Sequence, residues 1–187
     1  MIKVSDHDFR FYNFTELDEG VLQLVLSWRN HSSVRKWMYN RNIITLEEHL
    51  NFVKSLSSRN DKIYYLVERD GIYLGVFSLI DFDGNIGEWG YYLAPEFHHH
   101  GLGVEFYYSV LKFCFDTLGI KKMLGYALVD NKSANSLNFL FGFKGEQFKK
   151  SDAEELFYKL ELSENVWREE ICDNKKIHKL LAITRKK

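Results

Sequence analysis

The chain is predicted to be a mixed α/β protein built on a central, mostly antiparallel sheet with one parallel strand pair. Three observations predict this. The periodic segments follow the order βααβββαβαββ. The turn sequences Arg69-Asp70-Gly71 and Asp83-Gly84-Asn85 separate three β-rich runs, which makes an antiparallel meander. The third run, ending at Tyr91-Tyr92-Leu93, is followed by a glycine loop, an amphipathic helix and another strand. A crossover of that length returns the chain parallel to the strand it left.

Each element has its own warrant. Phe9 to Phe14 alternates apolar and polar residues with strong β-formers and reads as a strand. Thr15 is placed as the N-cap of a helix with Leu17, Val21, Leu24, Val25 and Trp28 on its apolar stripe. Thr45 and Glu48 form a capping box for a second helix, with Leu46, Leu50, Val53 and Leu56 inward. Strands follow at 63–68, 73–82 and 87–93. A helix over 104–118 carries Phe106, Val110, Phe113 and Leu118 inward and stops at Gly119. A strand at 122–129, a helix at 133–141, a return strand from Gly142-Phe143 and a last strand at 156–162 complete the domain. Its bounds are set at 1–163, with 164–187 a helical extension and basic tail.

Composition narrows the function. At 187 residues with 45% hydrophobic and 27% charged side chains, the chain can bury a substantial core. A net charge of −1 leaves no electrostatic footprint for nucleic acid. The basic stretches Lys175-Lys176-Ile177-His178-Lys179 and Arg185-Lys186-Lys187 are accounted for by a solvated tail. Two cysteines, Cys114 and Cys172, are too few for a disulfide framework. No apolar run is long enough for a membrane span, and the expected location is the cytoplasm.

The chemistry concentrates at Pro95-Glu96-Phe97-His98-His99-His100-Gly101-Leu102-Gly103-Val104. Proline ends the strand, since it cannot donate to a ladder. Glycines at 101 and 103 let the backbone approach a ligand, and the helix that follows presents free N–H groups and a positive dipole end. Together they suit a phosphate or pyrophosphate. The three histidines are read as loop residues, because consecutive side chains in one loop do not converge on a metal.

This segment resembles the acyl-CoA-binding motif of the GNAT acetyltransferases, Pro-x-x-(Arg/Gln)-x-x-Gly-x-(Gly/Ala), with His98 at the Arg/Gln position. A second stretch, Asn131-x-x-Ala134-x-x-Leu137-x-x-x-x-Gly142-Phe143, resembles that family's Asn-x-x-Ala-x-x-Leu-Tyr-x-x-x-Gly-Phe segment. The resemblance implies the GNAT fold, in which the two parallel strands splay and acyl-CoA lies in their gap. It implies that Leu93, His98, His100, Gly101, Leu102, Gly103, Val104, Asn131 and Asn138 hold acetyl-CoA, with no metal. Asn138 departs from the pattern, since many members carry there a tyrosine that protonates the leaving thiolate. An amide hydrogen-bonds but is no acid, so Tyr92 and Tyr126 stand as replacement candidates, each also a packing aromatic.

The N-terminal half adds Trp28-Arg29-Asn30-His31, Val34-Arg35-Lys36-Trp37-Met38-Tyr39 and Glu48-His49-Leu50-x-Phe52. Such a segment offers cations for a diphosphate and flat faces for a base, although packing alone would also account for its aromatics. The series resembles that of the pseudaminic-acid-pathway acetyltransferases, which acetylate the 4-amino group of a UDP-linked amino-dideoxy sugar. That likeness implies that Arg29, Met38, Tyr39, His49 and Phe52 line a nucleotide pocket, and a homodimer is the family-level expectation. Glu88, on one strand face with Gly90 and Tyr92, is the candidate base, with Tyr92 and Asn138 completing the candidate catalytic set. Two alternatives stay open at this point: a protein N-terminal or ribosomal-protein acetyltransferase, and a non-catalytic acyl-CoA-binding module.

Overall fold

The computed structural model describes residues 2–3, 9–98, 100–149 and 155–184. His99 and the Arg185-Lys186-Lys187 tail lie outside the described residues. The chain forms two compact units, one within Met1–Asp83 and Gly90–His98, the other within Gly84–Trp89 and His99–Lys187.

In the first unit, strands β1 (Ile2–Lys3), β2 (Phe9–Asn13), β3 (Lys62–Arg69), β4 (Ile72–Ile80) and the second half of β5 (Ile86–Leu93) follow one another across the sheet. β1–β2, β2–β3 and β3–β4 pair antiparallel, in a register that sets Tyr12 opposite Leu66 and Tyr65 opposite Phe77. Helix α1 (Glu19–Asn30) starts later than its sequence suggests. Asp18 caps it by accepting from the Val21 N–H at 2.9 Å. Thr15 instead lies in a short 3₁₀ turn, Phe14–Glu16, whose first free N–H is taken by the Asn13 side chain. Two short Asx side chains thus divide between them the capping assigned to Thr15. Leu22, Val25, Leu26 and Trp28 face inward and Leu24 faces out.

A one-turn helix, α2 (Ser32–Arg35), follows after His31, and α3 (Leu46–Leu56) carries the expected capping box. Thr45 Oγ1 accepts from the Glu48 N–H at 3.2 Å, and Glu48 Oε2 accepts from the Thr45 N–H at 2.7 Å. The buried face of α3 is His49, Val53 and Leu56, so the stripe is rotated away from Leu46, which is exposed. These helices close over a core of Phe14, Leu22, Val25, Trp28, Val53, Leu56, Leu66, Val76 and Ala94.

In the second unit the order is β5 (its first half), β6 (Lys122–Leu128), β8 (Leu156–Ser163), β7 (Lys144–Lys149). β6–β8 and β8–β7 are antiparallel. The expected parallel pairing joins β5 to β6 over Ile86–Glu88 and Lys122–Leu124. Helix α4 (Gly103–Lys112) continues into a π-turn, Phe113–Thr117, rather than as regular helix to residue 118. Phe113, Cys114 and Phe115 all lie buried in this wider turn.

Helix α5 (Lys132–Leu140) is capped by Asn131 and ends at Gly142. Gly142 has φ +81°, and an added Cβ would stand 2.9 Å from Ile171 Cδ1, so only glycine fits there. The chain ends in α6 (Glu164–Val166), a second π-turn at Trp167–Ile171, and α7 (Lys175–Thr184). Phe115 and Trp167, one from each π-turn, stack at 5.6 Å and 16°. Around them Arg168 bridges Asp116 at 2.9 Å and Glu164 at 3.2 Å, and Lys112 reaches Asp116 at 2.8 Å.

Candidate functional site

The first unit gathers the residues with recognition chemistry around Tyr64 of β3. Phe52 meets the Tyr64 ring edge-on at 5.1 Å and Phe14 packs on it at 5.6 Å. His49 lies edge-on to Phe14, buried, with no partner for Nε2 among the described residues. Burial lowers the His49 pKa, against a hydrogen bond to the Leu22 backbone that supports the charged form. Arg29 lies close enough to Tyr64 and Tyr92 to feel both electrostatically. Burial pulls its guanidinium below the usual arginine range, the Tyr92 hydroxyl opposes that, and the like charge of Arg35 adds to it. Tyr92 is pushed up by its own burial, so it remains a neutral hydroxyl.

Thus Arg29, His49, Phe52 and Tyr92 share one neighbourhood with Tyr64, while Met38 is half-buried and Tyr39 is 58% exposed. Tyr64 was missed in the sequence reading, although strand alternation already sets it on the face of β3 that carries Leu66 into the core.

The segment after α2 has no regular structure and is held by side chains. Arg29 Nη2 donates to the Asn40 carbonyl at 2.5 Å and Arg35 Nη1 to the Arg41 carbonyl at 2.6 Å. Asn30 brackets Ile44, donating to its carbonyl at 2.8 Å and accepting from its N–H at 2.9 Å. Arg29 therefore positions this loop as well as facing the aromatic cluster. Leu93 and His98 also belong to the first unit. The His98 Nε2–H donates to the Leu93 carbonyl across 3.1 Å, which closes the turn over Pro95 rather than extending the ring outward.

The second unit holds the glycine loop. Gly101 adopts φ +77° with nothing within 4 Å of an added Cβ, and His100 beside it is exposed. Leu102, Gly103 and Val104 are half-buried at the start of α4, and among the described residues no side chain caps that helix. A ten-residue helix that begins uncapped beside an open glycine turn fits a pyrophosphate, whose oxygens would take the first-turn N–H groups. Asn131 spends its side-chain oxygen on the Ala134 N–H at 3.3 Å.

Asn138 is buried, accepts from Tyr107 Oη at 2.6 Å and donates to Asn135 Oδ1 at 3.4 Å. Asn135 in turn donates to the carbonyls of Leu128 and Val129, where β6 ends. Tyr126 packs edge-on to Phe148 at 5.6 Å. Glu88 stands at the last parallel pair, opposite Leu124, half-buried. Among the described residues no group of three His, Cys, Asp or Glu could hold a metal ion.

The family described as Acetyltransferase (GNAT) domain matches residues 9–144. Acetyltransferase PseH of Campylobacter jejuni is 29% identical over 153 residues, covering 82% of this chain and 92% of that protein. The crystal structure of Campylobacter jejuni PseH in complex with acetyl coenzyme A superposes with TM-score 0.65 at 25% identity, over 83% of this chain and 98% of that one. Spermidine N-acetyltransferase from Vibrio cholerae, solved with CoA and spermine, has TM-score 0.73 at 17% identity, over 84% of this chain and 96% of that one, a likeness of fold.

Proposed function

Because the chain belongs to the GNAT acetyltransferase family, we propose that it moves the acetyl group of acetyl-CoA to the 4-amino group of a UDP-linked amino-dideoxy sugar, as in pseudaminic acid biosynthesis. Family membership makes it an acetyl-CoA-dependent N-acetyltransferase. The observation that carries the choice of acceptor is the cluster of Arg29, Tyr64, Tyr92, Phe52 and His49, a guanidinium among aromatic rings in a chain similar to PseH over 82% of its length. For a peptide acceptor the 28–52 region is expected to be acidic or apolar instead. In this reading the enzyme works in the cytoplasm, as a homodimer.

Acetyl-CoA supplies an activated thioester carbonyl. This chain's residues do the rest by position and charge. Gly101, Leu102, Gly103 and Val104 offer backbone amides to the pyrophosphate, next to His100. The Leu93 N–H is assigned to the thioester oxygen, where negative charge develops. Glu88 takes the proton of the attacking amine, directly or through a water. Tyr92, kept protonated by burial, is the hydroxyl available to the leaving thiolate, and Asn138 holds the α5 end of the cofactor side in place. Arg29, Met38, Tyr39, His49 and Phe52 hold the nucleotide.

Titration calorimetry with UDP, followed by a thiol-release assay with acetyl-CoA and the UDP-amino-sugar, tests this. Heat with UDP and sugar-dependent thiol release are expected. Acetyl-CoA binding without either would leave only a carrier-binding protein.

A further inference from the structure

Arg29 and Arg35 flank the bend at His31, which caps the end of α1 and the start of α2. Each carries a buried nitrogen with no partner among the described residues, Nη1 of Arg29 and Nε of Arg35. Neither pairs with a carboxylate among the described residues, and the two charges are close enough to repel. One other nitrogen of each donates to a loop carbonyl, Nη2 of Arg29 to Asn40 and Nη1 of Arg35 to Arg41. Two half-buried like charges, each with a buried spare donor and no counter-ion among the described residues, are costly in a folded protein, and an anion is what would offset that cost.

We propose that Arg35 joins Arg29 as the second arm of a clamp for the diphosphate of the nucleotide sugar. The assignment rests on the acceptor reading given above and specifies which atoms of that acceptor are held. Diphosphate oxygens are stronger acceptors for guanidinium than peptide carbonyls. On binding they take Arg29 Nη1 and Arg35 Nε and compete for the donors that now hold Asn40 and Arg41. The loop between Trp37 and Thr45 is therefore released or reseated as the nucleotide enters.

The test is calorimetry on the full chain with UDP and with UMP at fixed salt, for wild type and Arg35→Gln. Wild type is expected to bind UDP at least about tenfold tighter than UMP, the worth of one charged hydrogen bond. Arg35→Gln should bring the two within about threefold while the acetyl-CoA Kd stays unchanged. If Arg35→Gln weakens UDP and UMP equally, or not at all, Arg35 only holds the loop and the clamp is overturned. A wild type without UDP preference overturns it too. If wild type binds neither nucleotide, the sugar-nucleotide reading itself falls and the clamp with it. Should Arg35→Gln not fold, Arg35→Lys, which keeps the charge but loses the fork, is expected to cut the UDP preference at least about threefold. An unchanged preference in that variant has the same overturning force.

Discussion

The hydroxyl of Tyr107 on α4 donates to the side-chain oxygen of Asn138 on α5 across 2.6 Å, with both residues buried. Through Asn135 the chain of hydrogen bonds reaches the carbonyls that end β6. Where the motif resemblance implies a tyrosine on α5, this protein has an amide on α5 that accepts from a tyrosine on α4. Tyr107→Phe removes that donor and should cost about 1–3 kcal/mol in urea unfolding. Adding Asn138→Leu should recover part of the loss, because both polar ends are then gone. Strict additivity of the two changes would show that they do not interact.

The glycine loop separates a backbone effect from a ligand effect. Gly101→Ala forces a Cβ into φ +77° with no clash, so it should cost about 1–2 kcal/mol of stability. Gly103→Val leaves the left-handed turn intact and should act on acetyl-CoA Kd first. Equal cofactor affinity in Gly103→Val and wild type would remove the cradle.

Glu88 is expected to act on turnover alone. Glu88→Gln should lower kcat by on the order of 10²–10⁴ with little change in the Kd of either substrate. Raising the pH should restore part of the rate, as more of the free amine arrives unprotonated. A variant with unchanged kcat would mark Glu88 as a strand residue without a chemical role.

His49 predicts a pH dependence of stability. Its burial depresses the imidazole pKa, so below the ordinary histidine value the unfolded chain takes up a proton that the folded chain resists. The stability is present above that value and is lost as pH falls toward the depressed one. His49→Phe, which also removes the unpartnered Nε2, should lose less stability than wild type between pH 7 and pH 5. Parallel curves for the two proteins would mean that His49 does not contribute.

Much of the fold was legible because its signals are local. The Thr45–Glu48 box, the Asp70-Gly71 and Gly84 turns and the strand–Pro95–glycine order each depend on a few neighbouring residues. What escaped was set by competition or by distance. Asn13 and Asp18 outbid Thr15 for the capping role, and the α3 stripe turned to bury His49 against Phe14 instead of Leu46. No spacing rule announces a π-turn, so the helix through Phe113–Thr117 looked regular. The site was half readable. Arg29, His49 and Phe52 stand out by type, but Tyr64 matters because strand β3 brings it to them, and Arg35 because His31 bends the chain. Asn138 looked like a missing acid, and only the fold shows Tyr107 occupying its oxygen.

The two stacked π-turns have a practical bearing on where this protein can be cut. Trp167, Ile171, Ile177 and Leu181 are buried to the same degree as the interior of α4, and Tyr108 reaches across to donate to the Cys172 carbonyl at 3.0 Å. A polypeptide stopped at Ser163 would lose the lid over Phe115 and strand Asp116 without its arginine. The last two helices are therefore a wall of the interior, and a tag or fusion partner belongs beyond Thr184.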